Sequence, residues 1–97
     1  MPAELLAKRF YVTGYVQGVG YRYFAVRAAN RLNVSGYVRN VRGGRVEVYA
    51  IGTAEQLALL RAELREGPTG ASVDQVIEEA AEEIARYSRG FTIEQTE

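Results

Sequence analysis

Apolar positions along the chain change between a spacing of two and a spacing of three to four residues, and each change predicts a new element. Residues 9–16 alternate in the manner of a strand, whereas residues 21–32 carry an apolar stripe that predicts an amphipathic helix. Residues 34–51 alternate again on both sides of Gly43-Gly44, a turn signal, and predict a β-hairpin. The first half of the chain therefore has the order β-α-β-β.

A second helix is predicted after the hairpin. Thr53 and Gln56 have the spacing of a capping box, in which each side chain bonds the other residue's backbone N–H. Gly67-Pro68 predicts the end of this helix, because glycine suits the C-terminal cap and proline does not continue a helix. Three leucines supply its apolar face: Leu57, Leu60 and Leu64.

The segment over residues 71–87 supports two interpretations. Its apolar positions fit a helical stripe, and Ser72 with Gln75 imitates a capping box. The order β-α-β-β-α, however, favours a fourth strand that completes a split βαβ sheet. We predict a strand over roughly residues 72–79, then a loop or short helical turn, and a short closing strand over residues 91–95.

Composition narrows the chemistry of this single predicted domain, residues 1–97. Twelve basic and 12 acidic residues give a formal net charge of zero, which does not favour non-specific binding to nucleic acids or anionic membranes. The absence of cysteine and histidine excludes disulfides, thiol nucleophiles, thiolate metal sites and a histidine base. The chain shows no signal-peptide run and no stretch of transmembrane length, so we predict a cytoplasmic protein. We also predict a monomer, which is the simpler assembly state, without metal or cofactor.

The most informative segment joins the first strand to the first helix. It contains Gly14, Gly18 and Gly20 and continues through Tyr21 to Arg22. A glycine loop of this kind turns several backbone N–H groups toward one point, and the helix N-terminus adds positive partial charge there. The guanidinium of Arg22 adds a fork of donors suited to phosphate or carboxylate. The segment therefore predicts a cradle for an oxyanion.

Asn40 is expected at the same rim of the sheet as this loop. In a split βαβ unit the first two strands run parallel, so their carboxyl ends emerge at one edge, where ligands of such folds commonly bind. Asn40 also shares a face with Gly36 and Val38, a face that is otherwise apolar. An amide in that position needs a partner, which is either a backbone group of the hairpin or a molecule bound at the rim.

Two motifs in this order resemble the acylphosphatase family. The first is Val-Thr-Gly-Tyr-Val-Gln-Gly-Val-Gly-Tyr-Arg over residues 12–22, and the second is Gly-Tyr-Val-Arg-Asn over residues 36–40, followed by Val-Glu-Val over residues 46–48. The resemblance covers nearly the whole chain. It departs from the family at Gly43-Gly44, where Asp-Gly is frequent, and at Tyr21 and Tyr37, where the family often has Phe or Trp.

The resemblance implies an α+β, ferredoxin-like split βαβ sandwich, in which two helices cover one face of an antiparallel sheet. It implies hydrolysis of the carboxyl–phosphate bond of a small-molecule acyl phosphate, with Arg22 binding the phosphoryl group and Asn40 positioning the attacking water. The phosphate-binding residues implied by the family's loop are Gln17, Gly18, Val19, Gly20, Tyr21 and Arg22.

Two alternatives come from other classes of function. Ferredoxin-like sheets include RNA-recognition domains, and residues 18–24 weakly resemble an RNP1 motif. That motif belongs on a third strand, whereas this segment lies between the first strand and the first helix, and the neutral charge also disfavours RNA. The second alternative is a ligand-sensing domain that keeps the cradle without turnover.

Overall fold

The computed structural model describes residues 3–97, which form five strands, two α-helices and one short 3-10 turn. In chain order these are β1 (Leu6–Tyr15), α1 (Tyr21–Arg31), β2 (Ser35–Asn40), β3 (Val46–Gly52), α2 (Ala54–Glu66), β4 (Ser72–Ala81), the 3-10 turn (Ala85–Tyr87) and β5 (Phe91–Ile93).

The strands form one sheet in the order β4-β1-β3-β2-β5, which confirms the split βαβ arrangement and the ferredoxin-like fold class. β3 lies between β1 and β2 and is antiparallel to both, so β1 and β2 run in the same direction. The four main strands are antiparallel to their neighbours, as predicted. The closing strand β5 differs, because it pairs parallel to β2 and makes the sheet as a whole mixed.

Both helices begin and end where the local chemistry indicates. α2 has the predicted capping box, with Thr53 and Gln56 bonding each other's backbone, and Gly67 at φ +69° forms its C-terminal cap. α1 has no side-chain cap, and its N-terminal cap is Gly20 in the left-handed conformation. The first turn of α1 therefore begins with its N–H groups unpaired, which becomes important at the functional site.

The two helices cover one face of the sheet and form the main core with it. Phe10 and Val48 from the central strands are fully buried against Leu57 and Leu60 of α2 and against Ala25 of α1. Each of these side chains loses its whole apolar surface to the interior, a gain of about 1.5–3 kcal/mol for a large aliphatic or aromatic residue. The apolar stripes predicted for α1, α2 and β3 all face this core.

A second, smaller cluster covers the face without helices. Tyr37 stacks on Tyr49 with ring centroids 5.4 Å apart, and Tyr87 of the 3-10 turn packs 4.8 Å from Tyr37. The carboxylate of Glu47 is buried beside them, where it accepts a hydrogen bond from the Tyr37 hydroxyl and lies 3.2 Å from the guanidinium of Arg39. Burial, reinforced by Glu47, raises the pKa of Tyr37 to about 12.

The ambiguous segment is a strand, as the topological argument predicted. β4 pairs antiparallel with β1 from Ala7↔Ala81 to Tyr15↔Ser72, which extends the predicted strand by two residues. The short helical turn expected after it is the 3-10 turn. Pairing with β1 buries Val76, and this long-range contact outweighs the local helical pattern.

Candidate functional site

The candidate site lies at the rim where β1 and β2 end and α1 begins. Val46 of β3 pairs with Val12 on one side and with Asn40 on the other, so Asn40 stands two strand spacings, about 10 Å, from β1. β1 continues past Val12 to Tyr15 with only β4 as its partner, and the glycine loop follows directly. The loop and the end of β2 thus border the same side of this rim.

The glycine loop presents backbone donors that the protein leaves unpaired. Gly18 and Gly20 have φ values of +76° and +79°, a conformation that other residues rarely adopt, and these two turns carry the chain from β1 into α1. Within residues 3–97, no backbone N–H from Gln17 to Tyr23 donates a hydrogen bond. The first turn of α1 also has no acidic residue to neutralise its positive end. The loop therefore offers a concentration of donors suited to an anion.

Arg22 adds a full positive charge in the first turn of α1. Its side chain is half-buried, and among the described residues no carboxylate or carbonyl pairs with it. A cation at a helix N-terminus is disfavoured by the helix dipole by about 0.3–1 kcal/mol. An anion held by the same loop would relieve that repulsion, which makes Arg22 a suitable ligand for phosphate.

Asn40 carries a buried acceptor that lacks a donor. Its side-chain Oδ1 is inaccessible to solvent and accepts no hydrogen bond from any residue in the described range. The sequence predicted that this amide bonds either a backbone group of the hairpin or a molecule bound at the rim. No backbone group of the hairpin donates to Oδ1. A buried acceptor without a donor costs about 1–3 kcal/mol, so the protein holds this amide oxygen at a cost in stability.

Gln17 has a side-chain contact that the sequence did not indicate. Its Nε2 donates to the carbonyl oxygen of Val41 at 2.9 Å and to that of Arg45 at 2.8 Å. The sequence suggested only a backbone role for Gln17 in the loop. No local pattern points to this contact, because Val41 and Arg45 are far along the chain and approach only through the fold.

Tyr21 anchors the other end of the loop. Its ring is buried, and its hydroxyl donates to the carbonyl oxygen of Leu64 in the last turn of α2 at 2.6 Å. That carbonyl is one of those a helix leaves unpaired at its C-terminus. Burial raises the pKa of Tyr21 well above its ordinary value. Tyr21 therefore connects the start of α1 to α2 through a neutral hydroxyl.

The remaining predicted loop residues lie where the sequence suggested, in one continuous turn. Gly18 and Gly20 are exposed and Val19 is half-buried against the main core. Residues 18–24, which weakly resemble an RNP1 motif, lie in this loop and in α1, whereas an RNP1 motif lies on a strand. The structure thus places this segment in the turn between β1 and α1 and in α1 itself, and not on a strand.

A groove elsewhere on the molecule has unsuitable chemistry for an anion. It has a volume of about 500 Å³ and lies at the opposite end of β2, around Ser35, Thr53 and Glu83. No lysine or arginine lines it. In the described part of the chain, the other buried polar atom without a hydrogen bond is Arg61 Nε, which lies 3.3 Å from the carboxylate of Glu78 and is not in the groove.

Residues 3–97 contain no group of three or more histidine, cysteine, aspartate or glutamate side chains arranged to hold a metal ion. None of their helices has the length and hydrophobicity to span a membrane.

Comparison with known proteins assigns the chain to a family. The family model described as Acylphosphatase matches residues 8–93. An acylphosphatase of Pasteurella multocida is 53% identical over 75 residues, 77% of this chain and 83% of the relative. An acylphosphatase of Bifidobacterium longum is 42% identical over 93 residues, 96% of each chain. The crystal structure of acylphosphatase from Bacillus subtilis superimposes with a TM-score of 0.85 at 30% identity, covering 93% of this chain and 98% of the other.

Proposed function

Since the chain belongs to the acylphosphatase family, we propose that its glycine loop and Arg22 hold the phosphoryl group of an acyl phosphate while Asn40 orients the attacking water. Membership of the family identifies the chain as an acylphosphatase, an enzyme that hydrolyses acyl phosphates. The roles of individual residues are our proposal.

Capture of the phosphoryl group is the first role. The unpaired N–H groups between Gln17 and Tyr23 meet the non-bridging oxygens, and Arg22 adds charge-assisted hydrogen bonds. Each such bond to a charged group contributes roughly 1.5–3 kcal/mol. These donors become more useful as the transition state forms, because its charge develops on the peripheral oxygens.

Orientation of the nucleophile is the second role, and one observation carries it: the buried Oδ1 of Asn40 has no donor within the described residues. When the half-buried carboxamide rotates and brings this oxygen to the surface of the site, a water that donates one proton to it has a lone pair free to point toward phosphorus. Holding the water in line removes an entropic barrier, and misplacing it by about 1 Å costs on the order of 10²-fold in rate.

The chemistry requires little more from the protein. The leaving group is a carboxylate, a weak base, so it departs without a protein acid. The transition state of phosphoryl transfer is loose and is stabilised by positioning and electrostatics. A chain without histidine or cysteine is therefore adequate for acyl phosphates. Phosphate monoesters react far more slowly without a catalyst and would require more rate enhancement.

We further propose that one domain over residues 1–97 acts as a monomer in the cytoplasm, on a small acyl phosphate, without a metal or cofactor. The loop, Arg22 in α1 and Asn40 in β2 all come from one chain, which supports a site that needs no second subunit. Their donors are main-chain amides and uncharged or cationic side chains, which bind the phosphoryl oxygens directly.

Phosphate release from benzoyl phosphate in the presence of a strong chelator tests the proposal. We expect rapid release, competitive inhibition by inorganic phosphate, and no release from a phosphate monoester under the same conditions. Folded protein that releases phosphate no faster than buffer would reject the activity. Release that disappears with chelator and returns with a divalent cation would reject the metal-free mechanism.

A further inference from the structure

We propose that Gln17 is a positioning residue, whose side chain sets the separation between the phosphate-binding loop and Asn40. This inference rests on the proposed roles of the loop and of Asn40. It concerns the side chain of Gln17, which acts separately from its backbone N–H in the loop.

The contacts of Gln17 join the two halves of the site. Both hydrogens of its carboxamide are used, one on the carbonyl of Val41 and one on that of Arg45. Val41 directly follows Asn40, and Gln17 directly precedes Gly18. The backbone bond from Val41 N–H to Arg45 O, 2.8 Å long, holds these two carbonyls together at the mouth of the hairpin. Gln17 therefore attaches the loop to a rigid point one residue from Asn40.

The sheet itself does not supply this attachment. The pairing of β1 with β3 ends at Val12↔Val46, and residues 13–15 pair with β4 alone. β1 and the hairpin thus separate just before the loop begins. The loop also contains glycines at positive φ, and glycine has no side chain that restricts its backbone. The loop is therefore not stiff by itself. The two bonds of Gln17 close this gap, each with a net worth of about 1 kcal/mol.

Loss of the two Gln17 hydrogen bonds should lower the rate of the chemical step more than it lowers the affinity for phosphate. A loosened loop still folds its N–H groups around phosphate, because the loop residues and Arg22 are contiguous and move together. The phosphorus then samples a range of distances from the water on Asn40. A displacement of this kind lowers the rate of the in-line attack with little change in ground-state affinity.

The test compares two identical substitutions, Gln17→Met and Gln56→Met. Methionine matches glutamine in length but donates no hydrogen bond. Gln56 is a matched control, since its side chain bonds Thr53 N and Leu32 O at the far end of the sheet. Benzoyl phosphate turnover, the inhibition constant of inorganic phosphate and thermal unfolding are measured for each variant.

We expect Gln17→Met to lower kcat by about 10–100-fold while the phosphate inhibition constant changes less than about threefold. Gln56→Met should lower the unfolding temperature and leave kcat within about twofold of the parent. Equal kcat values for the two variants, or a phosphate affinity that falls as far as kcat, would overturn the positioning role.

A second arm links the effect to Asn40 and separates the two proposals. In an Asn40→Ala background at high enzyme concentration, Gln17→Met should lower the residual kcat by less than about twofold, because the residue it positions is gone. If Gln17→Met lowers kcat by the same factor in the Asn40→Ala background as in the parent, the link to Asn40 is overturned. If Asn40→Ala alone keeps the parent kcat, the proposed role of Asn40 in orienting the water fails instead.

Discussion

The roles proposed for Arg22 and Asn40 predict different effects when each side chain is removed. In the proposed mechanism Arg22 contacts the phosphoryl group in both ground and transition states, so Arg22→Ala should weaken phosphate binding and turnover together, each by about 10–100-fold. Asn40 is proposed to contact the water alone, so Asn40→Ala should lower kcat on the order of 10²-fold with phosphate affinity nearly unchanged. Steady-state kinetics with phosphate as inhibitor measures both quantities.

Arg27→Ala is a suitable control for Arg22→Ala. Arg27 is an exposed arginine further along α1, so its loss removes the same charge without touching the loop. Small and equal effects of Arg22→Ala and Asn40→Ala on binding and turnover would contradict the division of roles.

At the residue scale, the sequence predicted the backbone groups and the charged side chain that we propose for the site, and their roles stay predictions. The glycines of the loop and Arg22 are contiguous, so their pattern is visible in the chain itself. Asn40 is separated from the loop in the chain, so its place beside the loop was predicted through topology, because the split βαβ arrangement brings two separated residues to one rim. The side-chain contacts of Gln17 and Tyr21 were not predicted, since their acceptors are backbone carbonyls, which every residue possesses.

Among the elements, the end of β1 depends on close backbone contact with β4. The register of the two strands shifts between Thr13 and Gly14, a β-bulge that turns the strand toward the loop. A Cβ built on Gly14 would lie 2.2 Å from the carbonyl oxygen of Ser72, and the φ of Gly14 is +123°. Neither backbone can give way without breaking the pairing.

Gly14→Ala should therefore lower the free energy of unfolding by more than the backbone strain alone. Gly70→Ala is the matched control, because Gly70 also has a positive φ, +95°, but open space around it. We expect Gly70→Ala to lower the free energy of unfolding by about 1–3 kcal/mol, and Gly14→Ala to lower it by at least a further 1–3 kcal/mol. Urea denaturation measures both, and equal losses would show that β4 moves aside.

β4 shows why element type needs more than local pattern. Its apolar spacing and its imitation of a capping box favour a helix, and only the requirement for a fourth strand gave the correct prediction. The parallel pairing of β5 with β2 had no signal in the sequence, because three residues carry no directional preference. Long, strongly periodic segments such as α1 and α2 were predicted to within one residue at each end.

For the whole molecule, buried tyrosines should set the upper pH limit of stability. Burial raises the pKa of Tyr37 to about 12 in the folded protein, above the ordinary value of 10.0, and also raises that of Tyr21. The unfolded chain therefore loses these protons first. The contribution of these two tyrosines to the free energy of unfolding is fully present below about pH 10 and declines as the pH rises toward 12.

Urea midpoints at pH 8, 10 and 11 measure this decline. Tyr37→Phe should flatten it, even though the variant starts from a lower stability because the hydrogen bond to Glu47 is lost. Tyr21 maintains part of the slope in that variant. A slope between pH 10 and 11 that Tyr37→Phe leaves unchanged would show that Tyr37 ionises without opposing the fold.

The position of β3 between β1 and β2 has a consequence for biosynthesis. The loop and Asn40 are translated first, yet the strand that sets them side by side, Val46–Gly52, is translated after both. A nascent polypeptide with both motifs already outside the ribosome thus remains inactive until this later strand inserts between its neighbours. Catalytic competence arrives late in synthesis, and the emerging chain does not consume acyl phosphates before its central strand is in place.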